Sequence, residues 1–339
     1  MTVYFVDFMR FIVLTLIAAG LFLANLFFGS VSLPADEVMR ILLGEPADNE
    51  AAAFIILESR LPQAATATLA GAALTVAGLM LQTAFRNPLA GPSILGITSG
   101  SSLGVALVML LFGGSITAAG FTWGGYAAVI TGAFLGSAAI MGILLLLSMV
   151  LKNDLMLLIA GIMVGYLASS VITLLNYLST AEGVHSYTMW GMGNFNGVGI
   201  SQLPVFSISI AVGLLLSVLL VKPLNVVLLG ENYARNLGIS MLAVRNLLLL
   251  STGILTSIVT AYCGPISFIG LAVPHIAKMV FRTADHRIII PGCMLTGAVV
   301  GLLCNLISVI TESIVLPLNG VTPLIGVPVI LYVILKKKA

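Results

Sequence analysis

RLPQAATATLAGAALTVAGLMLQTAFRNPLAGPSILGITSGSSLG, residues 60–104, joins a membrane-length apolar run to a loop rich in Gly, Pro and Asn. Leu61 to Leu81 has no formal charge and is bracketed by Arg60 and Arg86. That is enough for one helical crossing of a hydrocarbon core, which takes about 20 apolar residues. Ala70, Gly71, Ala72, Ala73, Ala77 and Gly78 are small enough for neighbouring helices to approach closely. Asn87-Pro88-Leu89-Ala90-Gly91-Pro92, followed by Gly96, Gly100 and Gly104, then interrupts helix at or near membrane depth. Such backbone is tolerated only where protein covers it or where it lines a wet cavity. The stretch reads as part of a pathway and not as a lipid-facing surface.

The rest of the chain shares this apolarity. Of 339 residues 60% are hydrophobic and 8% charged, whereas a soluble domain carries about 25% charged residues. The chain is therefore expected to be an all-α polytopic membrane protein, one transmembrane domain over 1–339. Uninterrupted apolarity places ten spans at about 9–29, 61–81, 93–112, 123–149, 155–178, 201–221, 243–262, 266–281, 288–310 and 321–335. The weakest are 93–112 and 266–281, which are short and rich in Gly or Pro. With the N-terminus inside, ten crossings put Arg10, Arg86, Lys152, Lys222, Arg235, Arg245, Lys278, Arg282, Arg287 and Lys336 to Lys338 on the inner side. Only Arg40 and Arg60 of the 14 basic residues are then outside. This positive-inside bias supports both the count and two cytoplasmic termini. No small-residue cleavage site follows Phe28, so 9–29 is expected to be a permanent span. Cys263, Cys293 and Cys304 lack metal or disulfide spacing and read as core residues.

Several ordered motifs carry a resemblance. Arg60-Leu61-Pro62, Gly71-Ala72-Ala73-Leu74, Ala77-Gly78, Leu81-Gln82, Phe85-Arg86-Asn87-Pro88-Leu89-Ala90, Leu95-Gly96-Ile97 and Ser99-Gly100 follow one another at fixed spacing. Further along stand Leu229-Gly230-Glu231, Ala234-Arg235, Leu237-Gly238, Gly264-Pro265, Phe268-Ile269-Gly270-Leu271, Pro274-His275-Ile276, Asp285-His286-Arg287 and Gly326 to Pro328. Together they resemble FecCD-type permeases, the membrane subunits of bacterial ABC importers for iron-siderophore complexes, haem or cobalamin. The resemblance covers most of the chain. It implies a BtuC-like fold in the bacterial cytoplasmic (inner) membrane and a homodimer. It also implies two ABC ATPase subunits that carry ATP and Mg, an extracytoplasmic substrate-binding protein, and a metal chelate as cargo, a ferric siderophore in the first instance.

The residues agree with a non-enzymatic part. No G-x-x-x-x-G-K-[ST] phosphate cradle, nucleophile motif or His-Glu metal spacing occurs, and His185, His275 and His286 are scattered. Neither a cofactor of its own, a metal site nor a nucleic-acid partner is expected. Loop 222–245 is the longest amphipathic insertion on the inner side and reads as two short helices about a turn. The resemblance makes it the ATPase-coupling segment, with Gly230, Glu231, Ala234, Arg235, Leu237 and Gly238 as its contacts. On the acidic outer side Arg60 resembles an arginine that docks the binding protein, and it reads equally as an interfacial anchor at a helix end. The family often has a second arginine three residues later, where this chain has Gln63. Trp190 and Gly193 belong to an aromatic segment, 179–200, readable either as an interfacial belt or as a lip over the pathway.

No ionisable residue sits at midplane, which disfavours an ion-coupled secondary transporter. Asn87, Pro88, Leu89, Gly96, Ser99, Gly100, Ser169, Thr173 and Asn176 are the candidate pathway residues, polar but uncharged. Each Ser or Thr among them could equally bond its own helix. Finally, the Gly-Pro turns at Ala90-Gly91-Pro92 and Cys263-Gly264-Pro265 suggest inverted repeats of spans two to five and seven to ten.

Overall fold

A computed structural model describes residues 2–45, 49–111, 123–151, 153–310 and 314–336. The described residues form helices joined by turns. They are α1 (Thr2–Phe27), α2 (Ala35–Leu42), α3 (Glu50–Ala84), α4 (Ile97–Leu111), α5 (Trp123–Val150), α6 (Asp154–Leu178), α7 (Ala181–Gly191), α8 (Leu203–Leu219), α9 (Val221–Leu228), α10 (Glu231–Asn236), α11 (Met241–Cys263), α12 (Ile269–Phe281), α13 (His286–Val309) and α14 (Leu318–Lys336). Six of these are long and apolar enough to cross a membrane, α8 and α9 form a bent pair, and α4, α12 and α14 supply shorter apolar helices. The polar residues between apolar runs serve as caps. Asn153 Oδ1 accepts from Leu155 N at 2.8 Å, and Asp285 Oδ1 from Arg287 N at 2.9 Å. Thr180 Oγ1 accepts from Gly183 N at 3.2 Å, and Ser240 Oγ from Ala243 N at 3.3 Å. Each satisfies a donor that the first turn would leave orphaned.

The chain departs from its expected spans for local reasons. Helix α3 starts well before residue 61, and its turn over Ile55–Arg60 is widened to π geometry. Pro62 follows directly, and its ring cannot donate to a carbonyl four residues back, a misfit that a wider turn absorbs. The expected span 201–221 bends by 46° between Leu219 and Val221 and continues as α9. The span expected at 93–112 begins at Ile97 behind Gly96, and the one expected at 266–281 begins at Ile269 behind Phe268.

Helix α3 is central: 83% of its apolar stretch is buried, against 11% for α1 at the rim. Apolar burial against lipid gives helices little reason to associate, so close van der Waals contact has to do so. The chain supplies it with small residues facing small residues. Ala67 and Gly71 on α3 meet Gly297 and Gly301 on α13, where a methyl added at Gly71 would lie 2.1 Å from Gly297 O. Gly100 and Gly104 on α4 meet Gly132 and Gly136 on α5 in the same way. Gly96 approaches Gly161 and Gly165 of α6. A separate small core, Val38 and Ile41 of α2 on Ala52 and Ile56 of α3, closes one end.

Candidate functional site

At the centre the two Gly-Pro turns converge. Residues 91–94 before α4 and 266–268 before α12 meet against Leu74 of α3 and enclose a cavity of about 180 Å³ lined by Pro92, Thr98, Ser267 and Phe268. Both short helices start after a left-handed residue, Gly96 at φ +77° and Phe268 at φ +65°. Around this junction several polar side chains are committed. His275 Nε2 donates to Pro88 O at 2.8 Å, Gln82 Nε2 donates to Leu271 O at 3.0 Å, and Lys278 Nζ donates to Gln82 Oε1 at 3.3 Å. Asn87 Oδ1 accepts from Leu89 N at 2.9 Å and shapes the turn. Loop 86–92 is thus tied to α12.

The expected pathway residues separate into two groups. Gly96 and Gly100 are buried packing positions and line no surface, because a methyl there would meet Gly161 O at 2.9 Å and Gly136 O at 2.6 Å. Ser99 is half-buried beside Gly165, and Asn87 and Pro88 are half-buried in their turn, while Leu89 is exposed. On α6, Ser169 and Thr173 are exposed and Asn176 is half-exposed. The hydroxyls of Ser169 and Thr173 bond their own helix, at Gly165 O (3.0 Å) and Ser169 O (2.9 Å), leaving a neutral face of low adhesiveness.

At one end of the bundle gather the basic turns. Arg10 Nη1 donates to Phe281 O at 3.0 Å, which brings the start of α1 beside the end of α12. Helix α9 is anchored here through Asn225. Its Nδ2 donates to Asp285 Oδ1 at 2.6 Å, and its Oδ1 accepts from His286 N at 2.8 Å and lies 2.8 Å from His286 Nδ1. His286 Nε2 lies 3.0 Å from Thr83 Oγ1 at the end of α3. The Arg287 backbone N–H, aided by Asn225 and by the nearby cations, holds the Asp285 carboxyl below the usual carboxylate range. Beyond α9, Gly230 (φ +113°) and Gly238 (φ +77°) bracket α10 in open space. Ala234 is fully buried, Leu237 is exposed, and the side chains of Glu231 and Arg235 lie outside the described residues. Leu228, Leu229 and Tyr233 extend the exposed apolar ridge. Sequence reading passed over Leu228 and Tyr233 because exposed apolar residues carry no signal of their own in so apolar a chain.

At the opposite end Arg60 is drawn into the protein. Its side chain is 4% exposed. Nη1 donates to Leu26 O and Phe27 O, both at 2.8 Å, and Nη2 donates to Val31 O. The guanidinium therefore clamps the turn after α1 and presents nothing outward. Gln63 is buried as well, donating to Asn305 Oδ1 at 3.0 Å, and Asn305 in turn donates to Asn25 Oδ1 at 2.8 Å. Gly193 (φ +72°) is a buried turn whose carbonyl accepts from Leu318 N at 3.1 Å. Trp190 is half-buried on α7 and stacks on Tyr187 at 6.1 Å between centroids. That α7 would be a helix was missed, although Thr180 and Glu182 are the ordinary marks of a helix start. Among the described residues no His/Cys/Asp/Glu group could hold a metal ion, and the three cysteines are buried and free.

Comparison with known proteins places this geometry. Vitamin B12 import system permease proteins BtuC from Salmonella typhi and Salmonella newport are each 35% identical over 292 residues, 84% of both chains. A solved structure described as a metal-chelate type ABC transporter in an inward-facing conformation superposes with a TM-score of 0.82 at 30% identity. It covers 96% of this chain and 98% of the other. Residues 14–336 match the FecCD transport family as a whole. The chain, a multi-pass membrane protein with a BtuC-like fold, belongs to the FecCD transport family.

Proposed function

We propose that this chain is the permease subunit of an ABC importer that carries a metal chelate, a ferric siderophore in the first instance, across the bacterial cytoplasmic membrane. Two copies would enclose the route. Two ATPase subunits would bind ATP and Mg on the basic, cytoplasmic end, and an extracytoplasmic binding protein would deliver the cargo to the acidic one. The single observation that carries this reading is the α9–α10 pair, which presents Leu228, Leu229, Tyr233 and Leu237 at the surface. It is tied at its root to α3 and α13 through Asn225 and His286, in a chain without a phosphate cradle of its own. Such a pair has the right placement to receive force from a separate motor. The neutral α6 face supports a bulky ligand, because a route without fixed charge does not trap its cargo.

The test is uptake into proteoliposomes holding this chain with its ATPase and binding protein, comparing labelled ferric siderophore, haem and cobalamin. Uptake of the siderophore abolished without ATP is the expected result. Uptake of haem or cobalamin instead would reassign the cargo, and uptake driven by an ion gradient alone would overturn the importer reading.

A further inference from the structure

The ion pair between Asp154 and Arg245 stands where three moving parts would have to meet. Asp154 opens α6, and Arg245 lies in the second turn of α11, with Nη1 3.2 Å from Asp154 Oδ1. Arg245 Nη2 also donates to Ser148 O in the last turn of α5. Ser148 Oγ reaches back to Asn246 Oδ1 on α11. One guanidinium thus fastens the end of α5 and the start of α6 to α11. The fastening is incomplete, since Arg245 Nε is buried without a hydrogen-bond partner.

Beside the pair is a cavity of about 280 Å³. Ala84 at the end of α3, Met149 of α5, Val227 of α9, and Met241 and Leu242 of α11 share its walls with Asp154 and Arg245. A well-packed interface transmits strain and does not slide, whereas side chains lining an open pocket have few protein neighbours on that side and can move with less collision. The pocket therefore marks a joint. On one side of it stands α4 with α5 and α6, joined backbone to backbone through glycines, and α6 packs chiefly on those two helices. On the other side α11 packs on α3 and α8, and its face toward α5 is packed as extensively, so the two groups meet along a broad α5–α11 interface that the ion pair closes at one end. Where the groups touch in mid-bundle, the contact includes Met141 of α5 on Gly253 of α11, a flexible side chain against a bare backbone. Helix α9 borders the void through Val227, while Asn225 on its other face is held by Asp285 and His286. A push on α9–α10 would pivot at Asn225 and be felt at the joint.

We infer that Asp154 and Arg245 form an ionic latch that holds the α4–α6 group on the α3–α11 core and lengthens when the ATPases close. The latch rests on the importer reading above, and Asp154 and Arg245 are its positioning residues. The test uses the full complex in proteoliposomes, normalised to inserted protein. Asp154→Asn and Arg245→Gln should each raise ATP hydrolysis in the absence of binding protein and lower chelate uptake per ATP at least threefold. The charge swap, Asp154→Arg with Arg245→Asp, should recover part of the uptake per ATP lost in either single variant, the bond to Ser148 O staying lost because a carboxylate cannot donate. Spin labels at exposed Leu155 and Leu247 of one protomer should separate by several ångströms between the nucleotide-free and ATP-vanadate states. This readout decides the matter even if the single variants fail to assemble. A parent complex without ATP-dependent uptake overturns the importer reading itself. In a competent parent, single variants with unchanged uptake per ATP, a swap no better than the singles, or an unchanged label distance overturns the latch alone.

Discussion

Replacing Gly78 by alanine puts the tightest helix contact to a quantitative test. The added methyl would lie 1.6 Å from the carbonyl oxygen of Gly270 and 2.6 Å from its carbon. A carbon and a carbonyl oxygen settle at about 3.3 Å, so α3 and the first turn of α12 would have to part by about 1.7 Å. The obstacle is backbone, and Gly270 is itself crowded by Leu74 O and Pro92, so no rotamer change relieves the clash. Overpacking costs about 1–3 kcal/mol where a core can adjust, and this site belongs at the upper end, about 3 kcal/mol. At about 2–4 °C per kcal/mol for a chain of this size, the midpoint of thermal unfolding in detergent should fall by about 6–12 °C. Loss of the monodisperse peak after heating would measure it. Gly142→Ala on α5 is the control, because nothing lies within 4 Å of a methyl there. Its midpoint should hold or rise slightly, since alanine in a helix interior is favoured by about 0.5–1 kcal/mol. A Gly78→Ala midpoint within 2 °C of the parent would refute the reasoning.

Arg60→Ala should cost about 2–3 kcal/mol, as the buried carbonyl of Leu26 and the part-buried carbonyls of Phe27 and Val31 lose a charged donor. Arg60→Lys should recover less than half, because an ammonium cannot fork, and binding-protein affinity of the folded fraction should stay unchanged if the residue is a clamp. Asp285→Ala removes the cap of α13 and should cost about 1 kcal/mol at pH 7. Since the folded carboxyl titrates below its unfolded value, that contribution is complete above about pH 4 and is lost as pH falls through the folded value, so parent and variant should converge in acid unfolding curves. Glu231→Arg, or deletion of 229–238, should leave the protein inserted but uncouple ATP hydrolysis from uptake; unchanged uptake would sink the coupling role of α10.

The long helices were legible because hydrocarbon demands about twenty apolar residues per crossing and the sequence supplies them in blocks. Less legible was where short helices begin. Gly96 could be suspected of a left-handed turn, but Phe268 could not, since an aromatic residue adopts φ +65° only when the surrounding loop imposes it. The contacts of Arg60 were hidden for a related reason. An arginine at a helix start reads as surface, and only the folded chain shows the carbonyls of the turn after α1 wrapped about it. The paired spacing of Gly100 with Gly104 and of Gly132 with Gly136 was present in the sequence, yet which helix each pair would face is tertiary information. The segment proposed to meet the ATPases was readable in outline, since Gly230 and Gly238 bracket it, whereas its anchor through Asn225 and His286 joins residues about sixty positions apart.

These glycine crossings also limit how the molecule can move. Where backbone touches backbone, as between α3 and α13 or α4 and α5, neither helix can bend or slide without collision. Conformational change in such a bundle must then be displacement of whole groups, with compliance confined to joints that are underfilled or sealed by adaptable side chains. The cavity beside Arg245 and the Met141–Gly253 contact have those properties, and the first of them lies directly under the α9 segment. A chain without a nucleotide cradle that keeps its α3–α13 core stiff and its slack beneath α9 is built to be moved from that side. That ties the architecture of the core to the importer reading more tightly than any single exposed residue does.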